Sequence, residues 1–272
     1  MKKRSVMLSI AFVAPFIVFA QLADSATRLV HMQGAVNFRD AGGYKTKDGK
    51  MVVTGRIFRS ADISKLTDTD LQLMANKHIR TVIDFRGVRE SAAAPDKLLP
   101  ATDYMLCPAG SDSLPDMKQL AMLVKQGGFL EKSYGSGLPY YGARYKPFFQ
   151  KLLTLPDTAA LLYHCTGGRD RTGMASALFL YALNVPRETI EADFVASNVY
   201  LAPRLSAMYQ GMAQSMQIDT AVIRKAMELR PELLQTFFKA IIQKYGSMEK
   251  FMEQELGIGN KELSVLRKKY TI

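Results

Sequence analysis

The chain has 272 residues, 48% of them hydrophobic, with 36 Lys and Arg against 25 Asp and Glu for a formal charge of +11. This composition excludes a disordered polyelectrolyte and is enough for one substantial core of the α/β kind. The charge favours anionic partners, but the basic residues are scattered and not interleaved with aromatics, so nucleic acid is not expected among them.

The N-terminal stretch "MKKRSVMLSIAFVAPFIVFAQLADSA" has a basic start at Lys2, Lys3 and Arg4, an apolar run from Val6 to Phe19, and small residues near its end. This is the layout of an export signal cut after Ala20, with an uncleaved membrane anchor as the alternative. Residues 1–20 are read as a signal peptide and residues 21–272 as a single domain, periplasmic or secreted. What remains after cleavage is still basic, and no later stretch is long and apolar enough to cross a bilayer.

Next come short strands and turns, with a hairpin at Asp48-Gly49 and alternation through Met51 to Phe58 that predicts half-buried strands. "SKLTDTDLQLMANKHI" predicts a helix whose start is marked by Thr67 with Asp70 three residues on. "RTVIDFRG" reads as a buried strand ending in Asp84 and Arg86. The Gly, Ser and Pro content from Ser111 to Gly142 predicts a long surface excursion or lid. "ARYKPFFQKLLTL" is a helix broken at, or beginning at, Pro147. "AALLYHC" is a second buried strand, and "RTGMASALFLYALNV" is a helix apolar nearly all round. From Pro186 to Ile272 the period is helical, with turns at Arg230 to Glu232, Tyr245 to Ser247 and Gly257 to Gly259. These elements predict an α/β fold: a mostly parallel central sheet flanked by helices, with a helical lid and C-terminal segment. Ligands of such sheets bind at the carboxyl ends of strands, where Asp84 and Cys165 fall.

"YHCTGGRDRTG", Tyr163 to Gly173, carries the chemistry. Cys165 ends a strand and Arg171 starts a helix, and Thr166, Gly167, Gly168, Arg169 and Asp170 must turn tightly between them. Successive backbone N–H groups then face a concavity at a helix N-terminus, an anion site about the size of a tetrahedral oxyanion. Arg171 adds a planar two-pronged donor. The same field favours the thiolate of Cys165, a nucleophile in line with a bound phosphate. Thr172 is placed to hydrogen-bond the sulfur as it leaves. The reaction implied is phosphoryl transfer through a cysteinyl-phosphate, then hydrolysis. With export expected, the two cysteines, Cys107 and Cys165, also allow a structural or reversible disulfide, or no contact at all.

"HCTGGRDRTG" resembles the signature loop of cysteine-dependent tyrosine phosphatases, and within them the secreted bacterial tyrosine and lipid phosphatases whose loop runs H-C-x-A-G-K-D-R-T-G. "NFRDAGGY", "GRIFRSADISKLTDTD", "VIDFRGVRE" and the tail "YGSMEKFMEQELGIGNKELSVLRKKY" are similar to the same family, so the resemblance covers nearly the whole chain after residue 20. It implies a tyrosine phosphatase-like fold, Cys165 as nucleophile, Arg171 as phosphate clamp and no cofactor or metal. Thr166, Gly167, Gly168, Arg169 and Thr172 line the phosphate site in this reading. Gly167 stands where the family usually has Ala, and Arg169 where it commonly has Lys, which bears on phosphoinositide activity.

The general acid is expected at Asp170 first and Asp84 second. Otherwise Asp170 braces Arg169, Arg171 or Asn37, and Asp84 is a brace. "LPD" at Leu114 to Asp116 is a third candidate. His164 should point away from the cradle on the alternation of its strand. Met208, Met212, Met216 and Met227 are core or an adaptable lid. The substrate expected is a phosphorylated protein, chiefly phosphotyrosine, or an anionic phosphorylated lipid or inositol. The rivals are an inositol polyphosphate phosphatase, a rhodanese-type sulfur carrier and an inert phosphoprotein-binding module. The three histidines, His31, His78 and His164, lack metal-ligand spacing, and no metal site is expected.

Overall fold

The computed structural model describes residues 27–110, 117–137 and 139–272. The expected cleavage site after Ala20 and the Leu114 to Asp116 candidate lie outside these residues. Five strands form one sheet in the order β1-β2-β5-β3-β4: β1 is Arg39–Asp40, β2 Ile57–Ser60, β3 Ile79–Asp84, β4 Asp103–Leu106 and β5 Ala160–His164. β1 runs antiparallel to β2, and the other three pairings are parallel. The register places Ser60, His164 and Asp84 side by side, so β2, β5 and β3 end at one level with Cys165 one residue beyond. This is the mostly parallel sheet the sequence predicts.

The alternation predicted from Met51 to Phe58 is realised differently. Lys45 and Met51 form an isolated antiparallel bridge, Val52 bridges to Thr271, and only Ile57–Ser60 is a strand, buried throughout because it lies inside the sheet beside β5. The following helix, α1 (Asp68–Asn76), begins as expected. The Thr67 hydroxyl accepts from the Asp70 N–H at 3.2 Å while the Asp70 carboxylate accepts from the Thr67 N–H at 2.9 Å. A short helix, α2 (Val88–Ala93), follows β3. The Ser111 to Gly142 stretch is mostly helical where it is described, with α3 (Met117–Gln126), α4 (Phe129–Lys132), a wider π-helical turn at Ser133–Gly137 and a tighter 3-10 turn at Pro139–Tyr145. Local Gly and Ser content predicted a loop there; burial of Leu130 and Tyr134 against the core overrode it. α5 (Lys146–Thr154) starts at, and is not broken by, Pro147, as the missing N–H of proline is tolerated in a first turn.

Helices then run to the end: α6 (Arg171–Ala182), α7 (Arg187–Tyr200), α8 (Ala202–Met216), α9 (Thr220–Met227), α10 (Pro231–Tyr245), α11 (Met248–Leu256) and α12 (Asn260–Tyr270). α6 is buried almost all round, which is why its sequence shows no polar face. No helix among the described residues is long and apolar enough to cross a membrane.

The two faces of β5 carry separate cores. Leu161, Tyr163 and Cys165 join the large cluster containing Phe85, Phe148 and Phe179, whereas Ala160 and Leu162 join a smaller one with Phe58, Met74 and Val82. Rings of Phe148 and Tyr163 lie 4.7 Å apart, and those of Phe85 and Tyr145 lie 5.1 Å apart nearly edge-on. This aromatic stack sits directly under the carboxyl edge of the sheet, and truncating Phe148 would cost roughly 3–5 kcal/mol. A third cluster joins α3 to α8 and α9 through Val124, Leu205, Tyr209, Met216 and Ile223. Met216 is buried there, Met212 and Met227 pack against it, and Met208 is exposed, so the methionines are mainly the core of this helical layer.

Candidate active site

A loop whose N–H groups face an anion must turn its carbonyls outward, and each needs a donor if it is buried. The residues from Cys165 to Arg171 meet this requirement. Asp62 N–H donates to the Thr166 carbonyl at 3.1 Å. The Asn37 amide donates to the carbonyls of Gly167 and Gly168 at 3.2 and 2.9 Å, and Arg59 Nη2 also donates to Gly168 at 2.9 Å. Gly168 has φ +59°, and a Cβ there would stand 2.2 Å from the Ser60 carbonyl oxygen, so only glycine fits the turn. Cys165 is 2% exposed at the floor of this loop, and α6 begins at Arg171.

Arg171 is held from outside the loop. Its Nη1 and Nη2 donate to the two carboxylate oxygens of Glu90 at 2.7 and 3.1 Å, and Nη1 also reaches the Phe85 carbonyl at 3.3 Å. Glu90 is fixed in turn by the Gly87 N–H at 2.9 Å and the Thr166 hydroxyl at 2.6 Å. The end-on fork of the guanidinium thus belongs to Glu90, and its Nε–H edge remains for an anion. Burial works against the charge on Arg171, but the Cys165 sulfur and Glu90 outweigh it and raise its pKa above the ordinary arginine value. Tyr145 ties the aromatic stack to the loop by donating to the Arg171 carbonyl at 3.0 Å.

The sequence-predicted residues fall into distinct places. The Asp170 side chain is 37% exposed, receives the Tyr134 hydroxyl at 2.8 Å, and pairs with Arg169 Nε at 3.0 Å. Its burial favours the neutral form, yet Arg169, Tyr134 and Arg171 together hold the carboxyl below the usual range. Asp170 thus pairs with Arg169, while Asn37 serves the glycine carbonyls. The Arg169 guanidinium is nearly buried and turned out of the cradle, onto Asp170 and the Met227 carbonyl at 3.0 Å. Two of its nitrogens are thereby engaged, Nε by Asp170 and Nη1 by the last residue of α9. The Thr172 hydroxyl is fully buried and has no hydrogen-bond partner among the described residues.

Asp84 is fully buried and clamped. Arg86 chelates it through Nε and Nη2 at 2.8 to 3.0 Å, and the Tyr104 hydroxyl donates to it at 3.0 Å. Its oxygens are saturated, which fits the brace and not the acid. His164 points away from the loop as the alternation predicts, with Nε2 2.9 Å from Asp96. Asp84, Asp96 and His164 bring ligand atoms within 4.8 Å of one another, but Arg86, which also binds Asp96 at 2.7 Å, is the cation among them. Cys107 and Cys165 are both free and buried. The ladder continues past the strand ends, with Cys107 N–H on the Asp84 carbonyl and Phe85 N–H on the His164 carbonyl, so β3 runs between the two cysteines. Two strand spacings are about 9.5 Å, beyond the ~7 Å Cα limit for a disulfide.

Sequence reasoning missed Glu90, Tyr134 and Asp193. Glu90 lies in the quoted "VIDFRGVRE", but nothing in that segment announces a partner 81 residues later. Asp193 sits mid-helix with no motif around it.

The profile of the tyrosine phosphatase family matches residues 30–272. The chain is 30% identical over 234 residues to the triple specificity protein phosphatase PtpB of Mycobacterium tuberculosis, covering 77% of this chain and 80% of that one. It is 28% identical over 228 residues to a candidate tyrosine-protein phosphatase of Cupriavidus necator, with 82% of each covered. A tyrosine-protein phosphatase of Nostoc commune is 31% identical over 145 residues, which are 53% of this chain and 48% of that one. Among solved structures, TpbA of P. aeruginosa aligns at 15% identity with a TM-score of 0.28, over 62% of this chain and 90% of the other. Since the profile takes in β1 through α12, and so every element that holds the loop, the chain belongs to the tyrosine phosphatase family of hydrolases.

Proposed function

We propose that this chain hydrolyses phosphate monoesters, chiefly phosphotyrosine, through a cysteinyl-phosphate on Cys165. The observation that carries this reading is the outward anchoring of the Thr166, Gly167 and Gly168 carbonyls, which leaves the loop N–H groups turned inward over Cys165. In the first step the Cys165 sulfur gives an electron pair to phosphorus as the P–O bond to tyrosine breaks, and the leaving oxygen takes a proton from Asp170. In the second, water attacks phosphorus, Asp170 takes its proton, and the P–S bond breaks, with the unpartnered Thr172 hydroxyl free to donate to the sulfur. Arg171 and the loop N–H groups stabilise the equatorial oxygens throughout. Asp170 is charged in the free enzyme. An arriving phosphate dianion opposes Arg169 and Arg171 and raises its proton affinity, which suits an acid that is loaded only with substrate.

Phosphate release from a phosphotyrosine peptide, a phosphoinositide and inositol hexakisphosphate, in chelator and reductant, tests the reading. Turnover led by the peptide and lost in Cys165→Ser is expected. Preference for inositol hexakisphosphate would install the polyphosphate rival, which the engagement of Arg169 by Asp170 and Met227 disfavours. Asp170→Asn should lower turnover about 10²–10⁴-fold, and more for phenyl phosphate than for p-nitrophenyl phosphate, whose better leaving group needs the proton less. Export is part of the proposal, supported by the signal-like layout of residues 1–20. The mass of the protein recovered from a fractionated host, beginning at Gln21 or at Met1, tests it.

A further inference from the structure

The cradle described above is oriented from below by a buried ion network centred on one carboxylate of α7. Asp193, 4% exposed on its side chain, receives Arg59 Nη1 on one oxygen at 2.6 Å. Its other oxygen takes the Tyr44 hydroxyl at 2.8 Å and Arg39 Nε and Nη2 at 3.3 Å each. Both arginine side chains are 0% exposed. Each continues to the loop. Arg59 donates its other terminal nitrogen to the Gly168 carbonyl at 2.9 Å. Arg39 donates to Asn37 Oδ1, which turns the Asn37 NH₂ toward the carbonyls of Gly167 and Gly168. Only one orientation of that amide satisfies both sides, since its oxygen must face the guanidinium. Asn37 itself lies at φ +57°, a conformation asparagine tolerates better than most residues.

On the phosphatase reading above, we infer that Asp193 is a positioning residue for the phosphate cradle, acting through Arg59 and through Arg39 and Asn37 on the Gly167 and Gly168 carbonyls. The peptide planes of Gly167 and Gly168 are shared between an outward carbonyl and an inward N–H, so fixing the first aims the second. Two buried guanidiniums to one carboxylate also leave net positive charge one peptide away from the anion, where solvent does not screen it. The network joins "NFRDAGGY", "GRIFRSAD" and α7, which explains what the first two segments contribute although neither lines the site.

The test uses the full chain with p-nitrophenyl phosphate turnover, inhibition by inorganic phosphate and a urea unfolding midpoint measured on every variant. Asn37→Gly suits the left-handed backbone and removes only the amide. It should keep the midpoint near wild type while kcat/KM falls about 10²-fold and the phosphate inhibition constant rises with it. Asp193→Asn should give a similar fall, and the double variant far less than the product of the two, because they act on the same carbonyls. If Asp193→Asn does not fold, Arg59→Lys decides: it keeps a charge but loses the fork joining Asp193 to Gly168, and the same paired fall is expected. Folded variants with kcat/KM and phosphate inhibition within twofold of wild type, or effects that multiply in full, overturn the inference. Calorimetric binding of inorganic phosphate in the Cys165→Ser background reads the cradle without turnover. An inactive wild type that binds phosphate in an Asn37-dependent way would therefore refute the reaction and keep the positioning role.

Discussion

Two buried ion networks flank the end of β5, and they are built with opposite signs. On the face that Cys165 shares with Leu161 and Tyr163, Arg39 and Arg59 meet the single carboxylate of Asp193. On the face of His164, the single guanidinium of Arg86 meets Asp62, Asp84 and Asp96. Adjacent residues of one strand thus stand in different fields, because successive side chains leave a strand on opposite sides. The difference shows how a sheet separates an anion site from its scaffolding. The arginine-rich network touches the loop carbonyls and serves the cradle. The aspartate-rich one ties the ends of β3 and β5 to the 94–96 segment on the face away from Cys165.

The largest effects should come from removing the lone member of each network. Arg86→Met and Asp193→Asn each leave like charges buried without a counterion and should destabilise the fold by about 3–5 kcal/mol. They should part company with pH. The carboxylates left by Arg86→Met can take up protons, so urea midpoints for that variant should recover as the pH drops from 7 to 5, whereas Arg39 and Arg59 cannot shed theirs and Asp193→Asn should not recover. Parallel pH curves for the two variants would mean that the opposite signs have no consequence.

Acid unfolding of the unmodified protein comes next in size. Burial of Asp193, Asp170 and Asp62 is outweighed by their arginine and hydroxyl or amide partners, so all three carboxyls lie below the usual range. The unfolded chain therefore binds more protons than the native one near pH 4. Stability present above that pH should fall away as it is crossed downward, by on the order of 2 kcal/mol for the buried Asp193 and by less for the more exposed Asp170 and Asp62. A flat stability curve from pH 6 to pH 3 would contradict this.

The smallest effects belong to Cys107, which lies one residue past β4 in the core cluster of Cys165 and still feels the Asp84 charge. Burial, then the Asp84 charge, pushes its thiol up to about 11. The native state keeps that proton after the unfolded chain has lost it, so stability present below about pH 8.5 should decline toward pH 11, by about 1–2 kcal/mol at pH 10. Cys107→Ala should remove that decline. Mild peroxide followed by a non-reducing mass map should show no link between residues 107 and 165, since β3 separates them; finding one would mean that the strand ends open.

Much of this site is local and was therefore readable. The turn from Cys165 to Arg171, the need for glycine at 168 and the capped start of α1 at Thr67 and Asp70 each depend on a few consecutive residues, and spacing alone specifies them. The alternation of β5 likewise put Cys165 and His164 on opposite faces before any coordinates. Other features depend on segments far apart in the chain. Glu90 grips Arg171, Asn37 and Arg59 hold carbonyls more than 100 residues away, and Asp193 joins them from the middle of an otherwise ordinary helix. The helices between Met117 and Lys132 form where glycine and serine content pointed to a loop. Local backbone chemistry determined the loop and the place of Cys165 at its floor. Strand order and burial, which only the packed chain establishes, decided which charges stand beside it, because a buried ion is tolerated only where the fold brings its partner.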